Sequence, residues 1–225
     1  MVLLNNSIVF PHPESNHQHD VLAVGGDLSI ERLLLAYHYG IFPWFAEGDP
    51  IMWWSPRERY VLSPSRVKVS KSMRNIMNRG IYRYTLDQSF NEVIQACADI
   101  KREGQPEEGG WLSSEMIKAY TKPYEMGYAH SVEVWDDDDE LVGGLYGMAI
   151  GRCFIGESMF AKASNASKFG FISLCQHLER KGFELIDGQI HNDHLESLGF
   201  EFMDRADFMD FMRYHMMDHI PFAED

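Results

Sequence analysis

The chain has 225 residues, 45% of them hydrophobic and 24% charged, which is an ordinary globular composition with enough length for one or two domains. No apolar run is long enough to span a bilayer. The three cysteines, Cys97, Cys153 and Cys175, are an odd number without metal-ligand spacing, which favours buried thiols in a reducing compartment over a disulfide framework or a thiolate metal site. The net charge of −14 argues against nucleic acid as a partner of the whole surface.

The N-terminal part is predicted to hold a loop, a helix and an aromatic element. Residues 1–20 are polar and carry no signal-peptide pattern, which together with the cysteine usage predicts a cytoplasmic protein. A loop is favoured over a metal site for three histidines that lack acidic or thiol partners at ligand spacing, His12, His17 and His19. A helix is expected over residues 29–39, and the aromatic and proline-rich stretches 41–45 and 51–56 favour a compact element over a central strand.

A basic segment stands out against the acidic chain. Residues 57–83 carry a net charge of +7, which leaves −21 for the remainder. Its basic residues are Arg57, Arg59, Arg66, Lys68, Lys71, Arg74, Arg79 and Arg83. Because screening at physiological salt has a length of roughly 8 Å, a phosphate backbone docked there would respond mainly to the local charge. An RNA-binding band and a solvated surface with chance clustering are both open on charge alone.

From about residue 64 the pattern is α+β. Helices are predicted over residues 70–78, 88–100, 113–126, 165–181, 192–198 and 205–217, and strands over residues 130–135, 140–150, 152–159 and 183–189. Four aspartates at residues 136–139 are expected to form a solvated hairpin tip rather than a metal site. An antiparallel meander followed by a helix and a further strand is the order typical of an acetyltransferase-like domain.

Two carboxylates in apolar strands are the strongest candidates for chemistry. Asp187 and Gln189 would share one face of a strand, where the carboxylate can order the amide and accept a proton from an incoming amine; a structural hydrogen-bonded pair is the alternative. Glu157 needs a cationic or donor partner, which a basic substrate or a core arginine could supply. The chain lacks the phosphate-binding loops of ATP and dinucleotide enzymes and the pyrophosphate turn of coenzyme-A acetyltransferases.

At these residues the chain resembles the leucyl/phenylalanyl-tRNA–protein transferases, a bacterial enzyme family. The matching blocks, in chain order, are Gly25-Gly26-Asp27-Leu28-Ser29, Tyr39-Gly40-Ile41-Phe42-Pro43-Trp44-Phe45, Trp53-Trp54-Ser55-Pro56, His130-Ser131-Val132-Glu133-Val134-Trp135, Leu141-Val142-Gly143-Gly144-Leu145-Tyr146-Gly147, Gly156-Glu157-Ser158-Met159-Phe160, Asn165-Ala166-Ser167-Lys168, Leu185-Ile186-Asp187, Gln189 and Asn192-Asp193-His194. Two departures are visible: Gly188 stands where the family has cysteine, and Gly110 where it has threonine.

The resemblance implies a fold and a reaction. The fold would be α+β, with a small N-terminal domain (residues 1–63) packed on an acetyltransferase-like, GNAT-type C-terminal domain (residues 64–225) with a mostly antiparallel sheet. The reaction would move Leu or Phe, and weakly Met, from aminoacyl-tRNA to the N-terminal Arg or Lys of acceptor proteins and so mark them for degradation. It would need no cofactor, no metal and no membrane.

The resemblance also assigns residues to tasks. Activation of the amine and the reacting carbonyl would fall to Asp187, Gln189 and Asn192, and the basic acceptor would be held by Glu157. The 3′-adenosine of tRNA would be bound by Tyr37, Trp44, Trp111 and Tyr120, with roughly 1–3 kcal/mol for each stacked base. An apolar side-chain pocket would be formed by Leu145, Phe154, Met159 and Leu174, although each of these also suits plain core packing. The tRNA backbone would contact Arg57, Arg66, Lys71 and Arg74.

Asp187→Asn is expected to fold normally and to lose most of the transfer rate.

Two other functions compete with this interpretation. A coenzyme-A acyltransferase would share the fold but needs the missing pyrophosphate turn, and a non-enzymatic reader of basic N-termini would need neither Trp44 nor the basic segment.

Overall fold

The computed structural model of the chain describes residues 2–15, 19–100 and 112–223. Its strands are β1 (Val2–Leu4), β2 (Val21–Gly25), β3 (Phe42–Pro43), β4 (Met52–Trp54), β5 (Glu58–Leu62), β6 (Arg83–Leu86), β7 (Ala129–Trp135), β8 (Leu141–Ile150), β9 (Cys153–Ala161), β10 (Leu185–Asp187) and β11 (Glu201–Asp204). Its α-helices are α1 (Ile30–His38), α2 (Lys71–Asn78), α3 (Phe90–Asp99), α4 (Ser114–Glu125), α5 (Ala166–Lys181), α6 (Asp193–Leu198) and α7 (Arg205–His215).

Local sequence explains where several helices begin and end. The side chain of Ser70 accepts a hydrogen bond from the Met73 amide at the start of α2, and Ser113 does the same for Met116 at the start of α4. Helix α5 ends at Gly182, whose φ of +88° is the left-handed conformation that glycine adopts without strain. The helices predicted from the sequence are confirmed, with small shifts at their ends.

A four-stranded sheet in the N-terminal part has the strand order β1-β2-β4-β3. Strand β4 lies between β2 and β3 and is antiparallel to both. The side chain of Trp53 is fully buried there, and its indole nitrogen donates to the carbonyl of Gly25 at 2.9 Å. The expectation that residues 51–56 would not supply an interior strand was therefore wrong. Strand β4 is only three residues long and ends before Pro56, so the proline does not interrupt its pairing.

The main sheet has seven strands in the order β11-β5-β10-β9-β8-β7-β6. Strands β6 to β9 form an antiparallel meander, and β10 returns parallel to β9 after helix α5. The α+β class, the mostly antiparallel sheet and the predicted order of meander, helix and strand are thereby confirmed. Strands β5, β6 and β11 were not predicted from the sequence.

Both faces of the main sheet are covered, which explains why β7 and β8 are almost entirely buried. One hydrophobic core lies against α1, α3, α4 and α7, and includes Leu33, Phe90 and Tyr146. The other lies against α5 and includes Leu145 and Ile172. Neighbouring residues of β8 thus point into opposite cores, as the alternation of a strand requires.

The division at residue 63 stays a prediction, although β5 precedes it and pairs with β10 and β11 of the main sheet. Among the helices of the described residues, we find none with the length and apolar character needed to cross a membrane.

Candidate active site

A cavity opens where β9 and β10 part. The two strands pair at three positions only, from Leu185 opposite Cys153 to Asp187 opposite Ile155. Strand β9 then continues to Ala161, whereas the chain after β10 turns away at Gln189, whose φ is +64°. The resulting cavity has a volume of about 650 Å³, within the usual range for sites that bind small molecules.

The far wall of the cavity is apolar. Leu145, Phe154 and Met159 line it, and their assignment to an aminoacyl side-chain pocket stays a prediction. Leu174 does not line it; this residue is fully buried in the core on the α5 side of the sheet, where it packs as an ordinary core residue. Trp44 stands at the cavity with 41% of its surface exposed, so part of its side chain is accessible to a ligand.

A glycine makes the approach of β8 to β9 possible beside this wall. At Gly147 a Cβ atom would lie 2.2 Å from the carbonyl oxygen of Ile155 and 2.7 Å from the ring of Phe154. The strand register shifts at this point, between Tyr146 and Gly147. The bulge therefore needs glycine, and it sets the position of Phe154 in the cavity.

Glu157 projects from β9 into the cavity and is held by three donors. Tyr37 donates to its Oε1 at 2.7 Å, Tyr120 donates to its Oε2 at 2.8 Å, and the Gln189 side-chain nitrogen donates to Oε1 at 3.2 Å. The two tyrosine hydroxyls are themselves 2.5 Å apart. Neither tyrosine lines the cavity and both are buried against Glu157. Their predicted contact with the 3′-adenosine therefore stays a prediction, and the contact that the fold gives them is with Glu157.

Burial raises the pKa of Glu157 from 4.5 to about 7, because the carboxylate is withdrawn from water; hydrogen bonds from both tyrosines oppose this rise and the charge of Asp187 adds to it. Burial also raises the pKa of Tyr37 and of Tyr120 well above the ordinary value. The two hydroxyls therefore remain protonated donors at neutral pH. Glu157 itself gains or loses its proton near neutrality.

Asp187 is fully buried and forms an ion pair with Arg59. The Arg59 guanidinium contacts both carboxylate oxygens, through Nε at 3.3 Å and through Nη2. Its Nη1 donates to the carbonyl of Gly40 at 2.6 Å, and it lies 4.4 Å from the ring centroid of Phe208. Arg59 was counted in the basic segment, but it is 2% exposed and unavailable to RNA.

The sequence predicted that Gln189 would lie beside Asp187 on one face of a strand. Gln189 is instead outside the strand, because β10 ends at Asp187. Its backbone N–H donates to Oδ1 of Asp187 at 2.8 Å, and this bond holds the left-handed turn. Its side chain reaches Glu157 instead of lying beside Asp187 on a strand face. Asp187 thus fixes the backbone of Gln189. Glu157 orients the side-chain amide of Gln189 by accepting from its nitrogen, and the side-chain carbonyl oxygen of Gln189 can then accept from a ligand.

Comparison with known proteins decides the family. The model of the family described as leucyl/phenylalanyl-tRNA protein transferase matches residues 61–213, and the model of its N-terminal domain matches residues 26–57. A relative named leucyl/phenylalanyl-tRNA–protein transferase from Flavobacterium psychrophilum is 51% identical to this chain, over 95% of this chain and all of the relative. A relative of the same name from Escherichia coli O81 is 45% identical, over 97% of this chain and 92% of the relative. This chain belongs to the leucyl/phenylalanyl-tRNA protein transferase family. It is an enzyme, a transferase.

Two solved structures overlap more distantly with this transferase. A protein named L-PGS from Bacillus licheniformis is 15% identical over 76% of this chain and 53% of its own, with a TM-score of 0.43. A GCN5-related N-acetyltransferase from Kribbella flavida is 12% identical over 73% and 57%, with a TM-score of 0.39. At these scores the fold class rests on the sheet topology described above.

Asn192 and Gly188 complete the rim of the transferase cavity. Asn192 caps α6, where its Oδ1 accepts from the amide of Leu195 at 2.9 Å, and this leaves its side-chain nitrogen for a carbonyl oxygen in the cavity. At Gly188 a Cβ atom would lie 2.6 Å from Leu195 and 2.8 Å from Phe200. A cysteine, which the sequence resemblance implies for the family at this position, would require those side chains to shift.

The predicted tRNA-binding residues are exposed but differently engaged. Arg57 forms an ion pair with Asp20 at 3.8 Å, and Arg66 with Glu201 at 2.9 Å. Lys71 and Arg74 lie on the exposed side of α2, and Arg74 donates to the carbonyl of Val69. Trp111 and Gly110 lie outside the described residues.

One group of three side chains that could ligate a metal ion occurs among the described residues, namely His191, Asp193 and Glu196. All three are exposed, and exposed acidic groups are common without a metal. The sequence-based expectation of no metal stays a prediction.

Proposed function

We propose that this transferase moves Leu or Phe, and weakly Met, from aminoacyl-tRNA to the N-terminal Arg or Lys of acceptor proteins in the cytoplasm and so marks them for degradation. The observation that carries the proposal is the meeting of an apolar pocket and the buried Glu157 in one cavity. The pocket suits an apolar donor side chain, and the carboxyl group suits a cationic acceptor.

The donor end is built from the apolar wall and Trp44. Leu145, Phe154 and Met159 receive the Leu or Phe side chain, and burial of apolar surface drives its binding. The exposed part of the Trp44 side chain stacks on the terminal adenosine, with Trp111 as a second proposed contact. Met is accepted because Met159 is adaptable.

The acceptor end is Glu157. A carboxylate offers about four acceptor positions. Tyr37, Tyr120 and Gln189 fill three of them, and the group still lines the cavity. The remaining position is available to an N-terminal Arg or Lys. A cationic ligand there favours the ionised carboxylate and lowers its pKa below the value in the free enzyme.

The chemistry is attack of an amine on an ester. The C–N bond forms, the C–O bond to the ribose breaks, and the proton of the amine ends on the ribose oxygen. The ester already holds the energy of the peptide bond, so no cofactor is needed. An α-amino group has a pKa of roughly 7.7–8.0, so part of it is neutral at pH 7. The enzyme therefore contributes mainly positioning and stabilisation of the oxyanion.

Each catalytic residue has a task that fits its contacts. The carbonyl oxygen of Gln189 receives a hydrogen bond from the attacking amine, and the side-chain nitrogen of Asn192 donates to the developing oxyanion. Asp187 acts through Gln189, because Arg59 and the Gln189 amide already occupy its oxygens. The phosphates of tRNA contact the basic segment, chiefly at Lys71 and Arg74 on α2.

Incubation of the protein with Leu-tRNA and peptides that begin with Arg, Lys or Ala tests the proposal. We expect the mass of one Leu to be added to the first two peptides and not to the third. Transfer from an acyl coenzyme A would support an acetyltransferase instead. Binding of the peptides without product would support a reader of basic N-termini.

A further inference from the structure

A second cavity, of about 490 Å³, adjoins the reaction cavity. We call it the side groove; its walls include Trp54, Ile190, His191 and Phe202. Ile190 and His191 line both cavities. The rings of Trp44 and Trp54, one from each cavity, lie 5.2 Å apart, and the Trp54 indole nitrogen donates to the carbonyl of Trp44 at 2.7 Å. The side groove is therefore a direct continuation of the proposed reaction site.

The side groove presents apolar surface that the fold leaves open. Phe202, on the edge strand β11, is 57% exposed, and Ile190 is 38% exposed. The Phe202 ring is stacked on His191 at 5.6 Å and contacts the ring of Tyr60 at 5.0 Å. Because these neighbours hold the ring in place, a ligand that packs on it loses little side-chain freedom on binding.

The side groove carries a net negative charge, because three carboxylates, Asp20, Glu58 and Asp204, line it together with one cation, Arg57. Glu58 of β5 and Asp204 of β11 face each other across the antiparallel pair, where like charges repel. In the described part of the chain, neither Glu58 nor Asp204 forms an ion pair. The two neighbouring arginines have other partners: Arg57 is paired with Asp20, and Arg205 with Glu14. Such a groove repels phosphates and attracts basic groups.

We propose that the side groove binds the residues that directly follow the N-terminal residue of the acceptor polypeptide, and that it favours apolar and basic side chains over acidic ones. The inference rests on the proposed function. An acceptor whose first residue lies at Glu157 and Gln189 must leave the reaction cavity as an extended chain, and the shared wall at Ile190 and His191 is a route into the side groove. An apolar side chain packs on Phe202, and a basic one lies near Glu58 and Asp204.

The test compares short and long acceptors in wild type and Phe202→Ala. Argininamide is too short to reach the side groove, whereas peptides that begin Arg-Phe, Arg-Lys or Arg-Asp enter it. We expect Phe202→Ala to lower kcat/KM for the Arg-Phe peptide about tenfold, chiefly through KM, and to leave argininamide and the KM for Leu-tRNA unchanged. Phe202→Leu should restore most of the loss. Tyr214→Ala, which removes an exposed aromatic of α7, is the matched control.

A charge test is independent of the aromatic one. The variant Glu58→Gln with Asp204→Asn should lower the preference for Arg-Lys over Arg-Asp peptides about two- to fivefold at low salt and have little effect at about 0.5 M salt. Asp137→Asn, at the exposed hairpin tip, is the control.

The outcomes separate the inference from the proposed function. If wild type transfers to neither argininamide nor the peptides, the proposed function fails. If it transfers to both and neither variant alters acceptor preference, the side groove is not the acceptor site. If Phe202→Ala raises the KM for Leu-tRNA instead, the groove binds RNA and the inference is overturned.

Discussion

Removal of the charge on Asp187 should destabilise the folded protein as well as slow the transfer reaction. In Asp187→Asn the buried guanidinium of Arg59 keeps its bond to the Gly40 carbonyl but loses its carboxylate partner. Breaking a buried ion pair by removing one partner costs about 3–5 kcal/mol. For a chain of 225 residues, each kcal/mol shifts the melting temperature by roughly 2–4 °C. We therefore expect a fall of about 6–20 °C, where the sequence alone predicted normal folding.

The double variant Arg59→Met with Asp187→Asn separates stability from catalysis. Met keeps an apolar chain against Phe42 and Phe208 and leaves no buried cation, so most of the lost stability should return. The asparagine oxygen can still accept from the Gln189 amide. Transfer should nevertheless stay about tenfold below wild type, because the neutral asparagine oxygen accepts a hydrogen bond from the Gln189 amide that is weaker by roughly 1 kcal/mol or more than the bond to the carboxylate.

Thermal unfolding and single-turnover transfer to an Arg-starting peptide decide the matter. If Asp187→Asn melts within about 2 °C of wild type, the buried pair with Arg59 is not as described. If the double variant transfers at the wild-type rate, the charge of Asp187 has no part in the reaction.

Three further predictions concern the pocket, the basic segment and pH. Leu-tRNA should react faster than Ile-tRNA or Val-tRNA while Met-tRNA reacts weakly, since an apolar pocket separates similar side chains by about 1–3 kcal/mol; equal rates for Leu and Ile would contradict the pocket at Met159. Lys71→Ala with Arg74→Ala should lower the slope of log K for tRNA against log salt by about 1.5 and leave the Leu-to-Phe ratio unchanged, with Lys122→Ala as control. The pKa of Glu157 is raised from 4.5 to about 7, so between these values the folded state holds a proton that the unfolded state has lost. The free energy of unfolding should therefore fall by about 3 kcal/mol as pH rises through this range. Glu157→Gln should remove that dependence in melting curves.

The sequence predicted long periodic elements well and short charged strands badly. Helix α5 and the meander of β7, β8 and β9 have clear apolar patterns and were found where expected. Strand β5 was missed, because two charged residues, Glu58 and Arg59, lie at its start and Arg59 resembled a surface residue. The small sheet was underestimated for a different reason: its strands of two to five residues are too short to show a period.

The residues of the site were predicted only in part, because the side chains that pair with Glu157 and Asp187 come from distant segments of the chain. Desolvation was invoked for Glu157 but not for Asp187, although the same argument requires a cation for a carboxylate in the apolar strand β10. Arg59 lies 128 residues away and could not be chosen among the basic residues from spacing alone. Tyr37 and Tyr120 were linked to the site, but their role as donors to Glu157 depends on a contact between α1 and α4 that only the fold creates.

The most direct test of the account is the acceptor preference of Glu157→Gln. We compare kcat/KM for two peptides that differ only in their first residue, Arg or Ala, so that general losses of activity cancel in the ratio. Replacing the carboxylate should reduce the preference for Arg about thirtyfold or more, because a buried charge pair is lost. Glu133→Gln, at a fully buried glutamate outside the cavity, should leave the ratio unchanged. An undiminished preference in Glu157→Gln would show that the basic residue is recognised elsewhere.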